Sequence, residues 1–303
     1  MTAAAAAREA VIAPPPSLTQ RRIRPGELLF RLALQFCLLV AFAFLVALIV
    51  FAVYKGWNRL DARLWQNMPT GRASRVEAAG VQSAITGTLW VIALTALISL
   101  PTGIASAIYL EEYADNTRWY NRLLELNIQN LAGVPSIVFG ILGLGLIARV
   151  IGLGFTVITA AVVLSLLVLP TVIIASREAL RAVPQSIRQA SYALGATRWQ
   201  TTSRQVLPAA IPGMATGAIL ALSRALGEAA PLILLGAVTF IRFNPDSLLS
   251  TYTTLPIQIY NLIKEPQAEF QELAAAAIVL LLVILLLMNS VAIVIRNKFQ
   301  KRW

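Results

Sequence analysis

The sequence predicts an all-α integral membrane protein of six transmembrane helices, and three observations predict it. Hydrophobic residues make up 58% of the 303 residues, charged residues only 13%, and the mean hydropathy is +0.73. A soluble domain of this length needs far more polar surface. The apolar residues also run continuously instead of alternating, which selects helices over a barrel. Finally, Arg and Lys are unevenly shared between the connecting segments, which sets both termini in the cytoplasm.

The elements follow in order. Residues 1–26 are Ala- and Pro-rich, with Pro14-Pro15-Pro16 and Arg21, Arg22 and Arg24, and read as a disordered basic tail preceding a membrane domain over 27–303. Charge-free runs at 36–54, 83–110, 126–148, 150–176 and 273–295, and a run at 205–241 interrupted by Arg224 and Glu228, mark six spans. Each reaches the ~20 residues that cross ~30 Å of hydrocarbon. The first is too long for the apolar core of a signal peptide. With the N-terminus inside, the inner segments hold sixteen Arg and Lys and the outer segments eight, which favours N-in and C-in. Arg149 and Gly152-Leu153-Gly154 alone separate the third and fourth spans, so these are antiparallel neighbours. Pro101, Pro135, Pro170, Pro212 and Pro231 each remove an N–H within a span. Gly133, Gly140, Gly143 and Gly145 leave two readings open, close helix packing or a flexible pore-side helix.

Several chemistries are excluded. The net charge of +11 anchors loops at an anionic membrane face, and no nucleic-acid partner is read from it. There is no histidine, and the single cysteine, Cys37, lies in an apolar run. Ser-His and Cys-His catalysis, imidazole or thiolate metal sites and an intrachain disulfide are thereby set aside. No GxxxxGK[ST] loop occurs, so the chain is expected to hold no cofactor, with no ATP site of its own.

The most informative polar segment is the loop 177–208, REALRAVPQSIRQASYALGATRWQTTSRQVLP. Pro184 suits the first turn of a helix. Ile187, Ala190, Ser191 and Leu194 share one face of it, and Gly195 supplies a left-handed stop. Thr197 can cap a second short helix that ends near Leu207-Pro208. Periodicity leaves two readings even: an amphipathic pair lying on the membrane with its five arginines at headgroups, or a helix seated in a groove of a partner protein.

QASYALGATRWQTTSRQVLP resembles the EAA loop of ABC-importer permeases: Glu-Ala-Ala, three residues, Gly, nine residues, Ile-x-Leu-Pro. Ala190, Gly195, Leu207 and Pro208 match at those spacings; Gln189, Ser191 and Gln205 depart from the pattern. NLAGVPSIVFGILGLG, VLPTVIIASREALRAVPQSIRQASYALGATRWQ, ALSRALGEAAPL and LPIQIYN together resemble the PstA-type permeases of the phosphate-specific (Pst) ABC transporters, from about residue 27 to the C-terminus. The resemblance implies the type I (MetI-like) permease fold and a bacterial inner-membrane location. It also implies a PstC-type permease partner, two PstB-type ATPase subunits that bind ATP and Mg, and a PstS-type binding protein. Gln189, Ala190, Ser191, Leu194, Gly195, Leu207 and Pro208 would then form the contact with the ATPase.

Arg224 and Glu228 stand four residues apart inside the fifth run. As one helix, the run places Arg224 about 24 Å from Pro208 and about 25 Å from Ile241, near mid-membrane. An exposed charge there costs at least ~2.5–3.5 kcal/mol. Either the two form a structural ion pair, or they line a water-filled path. The fork of Arg suits a tetrahedral oxyanion, and a carboxylate can accept the O–H that phosphate retains and sulfate lacks. The resemblance implies a role for both in phosphate passage. A permease for sulfate or molybdate, and a scaffold or secondary transporter without an ATPase, remain the competing readings.

Overall fold

A computed structural model describes residues 25–115, 117–235 and 240–299. The expected tail lies outside these residues except for its last two, Pro25 and Gly26. These open helix α1, Pro25–Gly56, where a proline in the first turn costs no hydrogen bond. The chain divides into a unit ending at Phe51 and a unit over Ala52–Trp303. Within the first, α1 is apolar all round and almost wholly exposed, as a lipid-facing helix must be.

The second unit opens with the short helix α2, Ala62–Gln66, capped by the Asp61 carboxylate. It then carries α3, Gln82–Ile108, extended by a π turn over Tyr109–Tyr113. Next come α4, Trp119–Ala132, and α5, Ser136–Leu142, extended by a π turn to Val150. Helix α6 spans Val157–Arg181 and α7 Gln185–Ala193. Helix α8, Arg198–Thr201, runs through a π turn at Thr202–Val206 into α9, Leu207–Gly227. Helices α10, Ala230–Leu234, α11, Leu255–Lys264, and α12, Ala268–Phe299, complete the described chain.

Among the described residues, five helices are long and apolar enough to cross a membrane: 26–59, 82–113, 157–181, 198–227 and 268–298. The third expected span, 126–148, is not one straight helix. It is the pair α4 and α5, bent by 105°. Pro135 cannot donate and pushes Val134 out of helical geometry, and Gly133 precedes them. Asn127, Gln129 and Asn130 also make α4 amphipathic, so a charge-free run is not the same as an apolar one.

Small residues set the packing. Gly213 and Gly217 on α9 face Ala179 and Ala175 on α6, so α9 and α6 run antiparallel in close contact. Gly103 on α3 meets Val172 on α6, while Thr95 and Ser165 exchange long bonds with the carbonyls of Ala161 and Thr95, so α3 and α6 run parallel. Gly140 lies against Pro231 and Gly143 against Val163 in close packing, whereas a side chain at Gly145 would meet nothing within 4 Å. The expected turn between the third and fourth spans is built on Gly152 and Gly154, both with positive φ (83° and 64°).

Candidate substrate path and coupling element

The 177–208 loop folds largely as its sequence dictates. Helix α7 starts after Pro184, and Gly195 takes φ +81°, the left-handed stop. Thr197 and Gln200 form a reciprocal capping box on α8. One expectation fails: the second short helix does not end at Leu207-Pro208 but continues into α9. The π turn at Thr202–Val206 absorbs the site where Pro208 offers no N–H, so the helix persists without a break. Ser191 Oγ lies 2.8 Å from Thr201 Oγ1 and ties α7 to α8.

Ile187, Ala190, Ser191, Leu194 and Gly195 line a cavity of about 580 Å³ with Ala196, Gln200, Arg204 and Gln205. Leu194 is 89% exposed, and Trp199 and Tyr192 are also exposed. Gln189 is exposed on α7 beside them, whereas Leu207 is partly buried and packs into the body with Val206 and Ala210. Pro208 stands in the first turn of α9. Of the five arginines of the loop, four are engaged within the protein: Arg177, Arg181 and Arg188 are held in ion pairs, and Arg198 stacks 5.5 Å from the Tyr113 ring centroid.

The fifth span departs further from expectation. Helix α9 stops at Gly227, and Glu228 is its extended C-terminal cap residue (φ −77°, ψ 113°). Pro231 therefore sits in the first turn of α10 and frees no carbonyl in a continuous helix. The mid-membrane estimate, which assumed one helix to Ile241, is superseded. Ser223 donates to Asn289 at 2.7 Å and Arg296 donates to Thr216 at 3.2 Å, which fixes α9 against α12. Arg224 lies in the last turn of α9, about 25 Å along the helix from Leu207, where the carbonyl ends favour a cation.

Arg224 Nε is 3.9 Å from Glu228 Oε1, at the limit of an ion pair. The Arg224 side chain is 51% exposed and that of Glu228 only 18%. Glu228 also borders a cavity of about 10 Å³, enough for one water, with Thr88, Val91, Ile92, Leu164 and Thr254. Among the described residues no cluster of His, Cys, Asp or Glu could hold a metal ion.

Residues 99–303, more than half of the chain, match the family model described as binding-protein-dependent transport system inner membrane component. The chain belongs to this family. The permease is 31% identical to the probable ABC transporter permease protein YqgI of Bacillus subtilis, over 74% of this chain and 75% of that one. It is 34% identical to phosphate transport system permease protein PstA 1 of Mycobacterium tuberculosis strain CDC 1551 / Oshkosh, over 75% and 74%. A structure of the inward-facing MetNI methionine ABC transporter superposes with a TM-score of 0.57 at 19% identity, over 71% of the permease and 94% of the MetNI chain. The fold is therefore that of a type I ABC-importer permease, a multi-pass inner-membrane protein.

Sequence reasoning missed two features of the permease. The first is a charged cluster under α7 and α8. Arg188 donates to Glu112 at 2.7 Å and to the carbonyls of Val183 (2.7 Å) and Leu180 (2.9 Å), all in buried surroundings. Arg181 grips Glu111 with two bonds of 3.0 Å, and Arg177 donates to Glu125 at 2.9 Å. The consecutive glutamates in YLEEY were the available signal. Beside them, Asp115 accepts from the hydroxyl and N–H of Thr117, which hold its carboxyl below the usual range. The second feature is a polar stripe on α11. Thr254, Gln258 and Asn261 recur at helical spacing, and each has a buried side-chain polar atom with no partner among the described residues. The LPIQIYN block held two of these residues, but only its resemblance, not its chemistry, was legible.

Proposed function

We propose that this chain is the permease subunit of an ATP-driven importer of inorganic phosphate. It forms half of the translocation path with a PstC-type permease and couples to two PstB-type ATPases. A PstS-type binding protein delivers phosphate from outside. ATP binding closes the ATPases, α7 and α8 move with them, and the helices rock between inward- and outward-facing states. Both termini then lie in the cytoplasm.

The observation that carries the reading is the state of Arg224. It is half exposed at the end of a helix, and Glu228, at 3.9 Å, leaves most of its donors unused. A guanidinium so placed can offer a bidentate grip to a tetrahedral oxyanion. The relatives named as phosphate transport permeases support phosphate as that anion. Glu228 would accept the O–H of phosphate and repel fully ionised sulfate. The grip must stay weak, because a path has to release what it binds.

The test is uptake by the reconstituted complex, with radiolabelled phosphate and sulfate side by side. Arg224→Ala is expected to lower phosphate uptake roughly 10–100-fold, the value of a hydrogen bond to a charged group. Glu228→Gln is expected to lower uptake and to admit sulfate. Unchanged phosphate uptake in Arg224→Ala would remove the role assigned to that residue. Sulfate uptake by the unmodified complex would favour the broader oxyanion reading.

A further inference from the structure

The π turn Tyr109–Tyr113 ends α3, and nearly every residue in it contacts a different element. Tyr109 donates to Asn121 on α4 at 3.3 Å, and Leu110 is buried in the apolar cluster with Ile173 and Val206. Glu111 pairs with Arg177 and Arg181 on α6, Glu112 with Arg188 on α7, and Tyr113 lies under Arg198 of α8. Successive helical residues point about 100° apart, so a turn surrounded on all sides contacts all of these elements at once. π turns are frequent at functional sites.

The Glu112–Arg188 contact is the strongest of these. Both side chains are more than nine-tenths buried, at 5% and 8% exposure. Arg188 also donates to the Leu180 carbonyl in the last turn of α6 and to the Val183 carbonyl just beyond it. Helix α7 therefore has two faces: Ala190, Ser191 and Leu194 open into the groove, and Arg188 points back into the body. From this turn α3 runs about 30 Å to Thr88, Val91 and Ile92, which wall the cavity bordered by Glu228. Thr88 also accepts the N–H of Leu255 at 2.9 Å, and Gly87 packs on the Thr253 carbonyl, so α3 reaches the unpartnered polar stripe as well.

We propose that the Tyr109–Tyr113 turn, clamped by Glu112 and Arg188, is the rigid joint that passes movement of the coupling element into α3 and so to the path. Arg188 and Glu112 are positioning residues; neither touches the permeant. The joint rests on the reading above that α7 and α8 dock on an ATPase. It goes beyond that reading in naming the residues that carry the motion onward.

The experiment uses the full complex in liposomes and reads two quantities together, phosphate imported and ATP hydrolysed. Glu112→Gln keeps the shape of the side chain and removes its charge. The expected result is that ATPase subunits still copurify while phosphate imported per ATP falls about tenfold, within the range of coupling changes along such networks. In a Cys37→Ser background, which leaves no other cysteine, Glu112→Cys with Arg188→Cys is expected to be uncoupled until a short bismaleimide joins the two thiols, after which the ratio recovers. An unchanged ratio in Glu112→Gln overturns the joint. So does transport blocked by the cross-link, which would mean that α7 must slide past α3. Loss of the ATPase from Glu112→Gln also overturns it, because the pair would then hold the element's fold and transmit nothing. A wild-type complex without any ATPase is a separate outcome: it sinks the function proposed above, and the joint falls with it.

Discussion

The two ends of this permease treat polar groups in opposite ways. Under the coupling element, charges are buried and densely paired: Arg188 makes bonds of 2.7–2.9 Å to Glu112 and two carbonyls, and Arg181 holds Glu111 bidentately. Around the proposed path, pairing is loose or missing. Arg224 and Glu228 stand 3.9 Å apart, and Thr254, Gln258 and Asn261 bury polar atoms without partners among the described residues. Low dielectric makes a satisfied network rigid and an unsatisfied one costly. A closed set of bonds can carry a force but has no capacity left for a ligand. An open set is poor at carrying force and has donors and acceptors to lend to water or to a permeant.

This contrast predicts that stability separates the two sites even though transport suffers at both. Glu112→Leu strands the Arg188 guanidinium in a buried site and is expected to cost about 3–5 kcal/mol, read as a large loss of thermal stability in detergent. Glu228→Gln touches a contact at the limit of pairing and is expected to change stability by less than about 1 kcal/mol, although uptake suffers. Equal stability losses in the two variants would erase the distinction. Next in size, Gly217→Val drives a side chain into Ala175 of α6, and overpacking of this kind costs about 1–3 kcal/mol. Smaller still is Gly195→Ala. Nothing lies within 4 Å of the added methyl, so only the φ of +81° is strained, by roughly 1 kcal/mol. That variant is expected to weaken copurification of the ATPase slightly, whereas Gly195→Glu, which adds bulk and charge at the proposed docking face, is expected to abolish it.

Much of the fold was legible because lipid imposes one rule along the chain: a helix either is apolar for about 20 residues or does not cross. That rule located five spans, and turn chemistry located Gly152, Gly154, Gly195 and the Thr197 cap. It misread 126–148, since Asn127, Gln129 and Asn130 carry no charge and pass a filter built on charge. It also misread the fifth run, where Arg224, Gly227 and Pro231 are the local signals of a helix end that a reading by hydropathy passes over. At the site, the identities of Arg224 and Glu228 were legible as anomalies, but their spacing in space was not. The Glu112–Arg188 pair joins residues 76 apart in sequence, so it belongs to tertiary structure alone. The facing small residues of α9 and α6 are hidden for the same reason: each half of the pattern is ordinary until the other is known.

The smallest expected effect is the sharpest test of the open end. Gln258 is fully buried, and both ends of its amide lack partners among the described residues. If that amide is a structural flaw, replacing it with an apolar side chain of similar size relieves the cost of an unmade bond, and Gln258→Leu gains stability of up to about 1–3 kcal/mol with transport intact. If the amide serves the transport cycle, it must find partners in another state. Stability of the resting state still rises, because the unmade bond is removed. Phosphate uptake falls nonetheless, since the state that exposes the stripe loses a hydrogen-bonding wall. Thermal denaturation and uptake measured on the same preparation separate the two outcomes. The second is the one expected, because the neighbouring Thr254 borders the cavity that Glu228 also lines, and a group bordering that space has a use for an unpaired hydroxyl that a core residue does not.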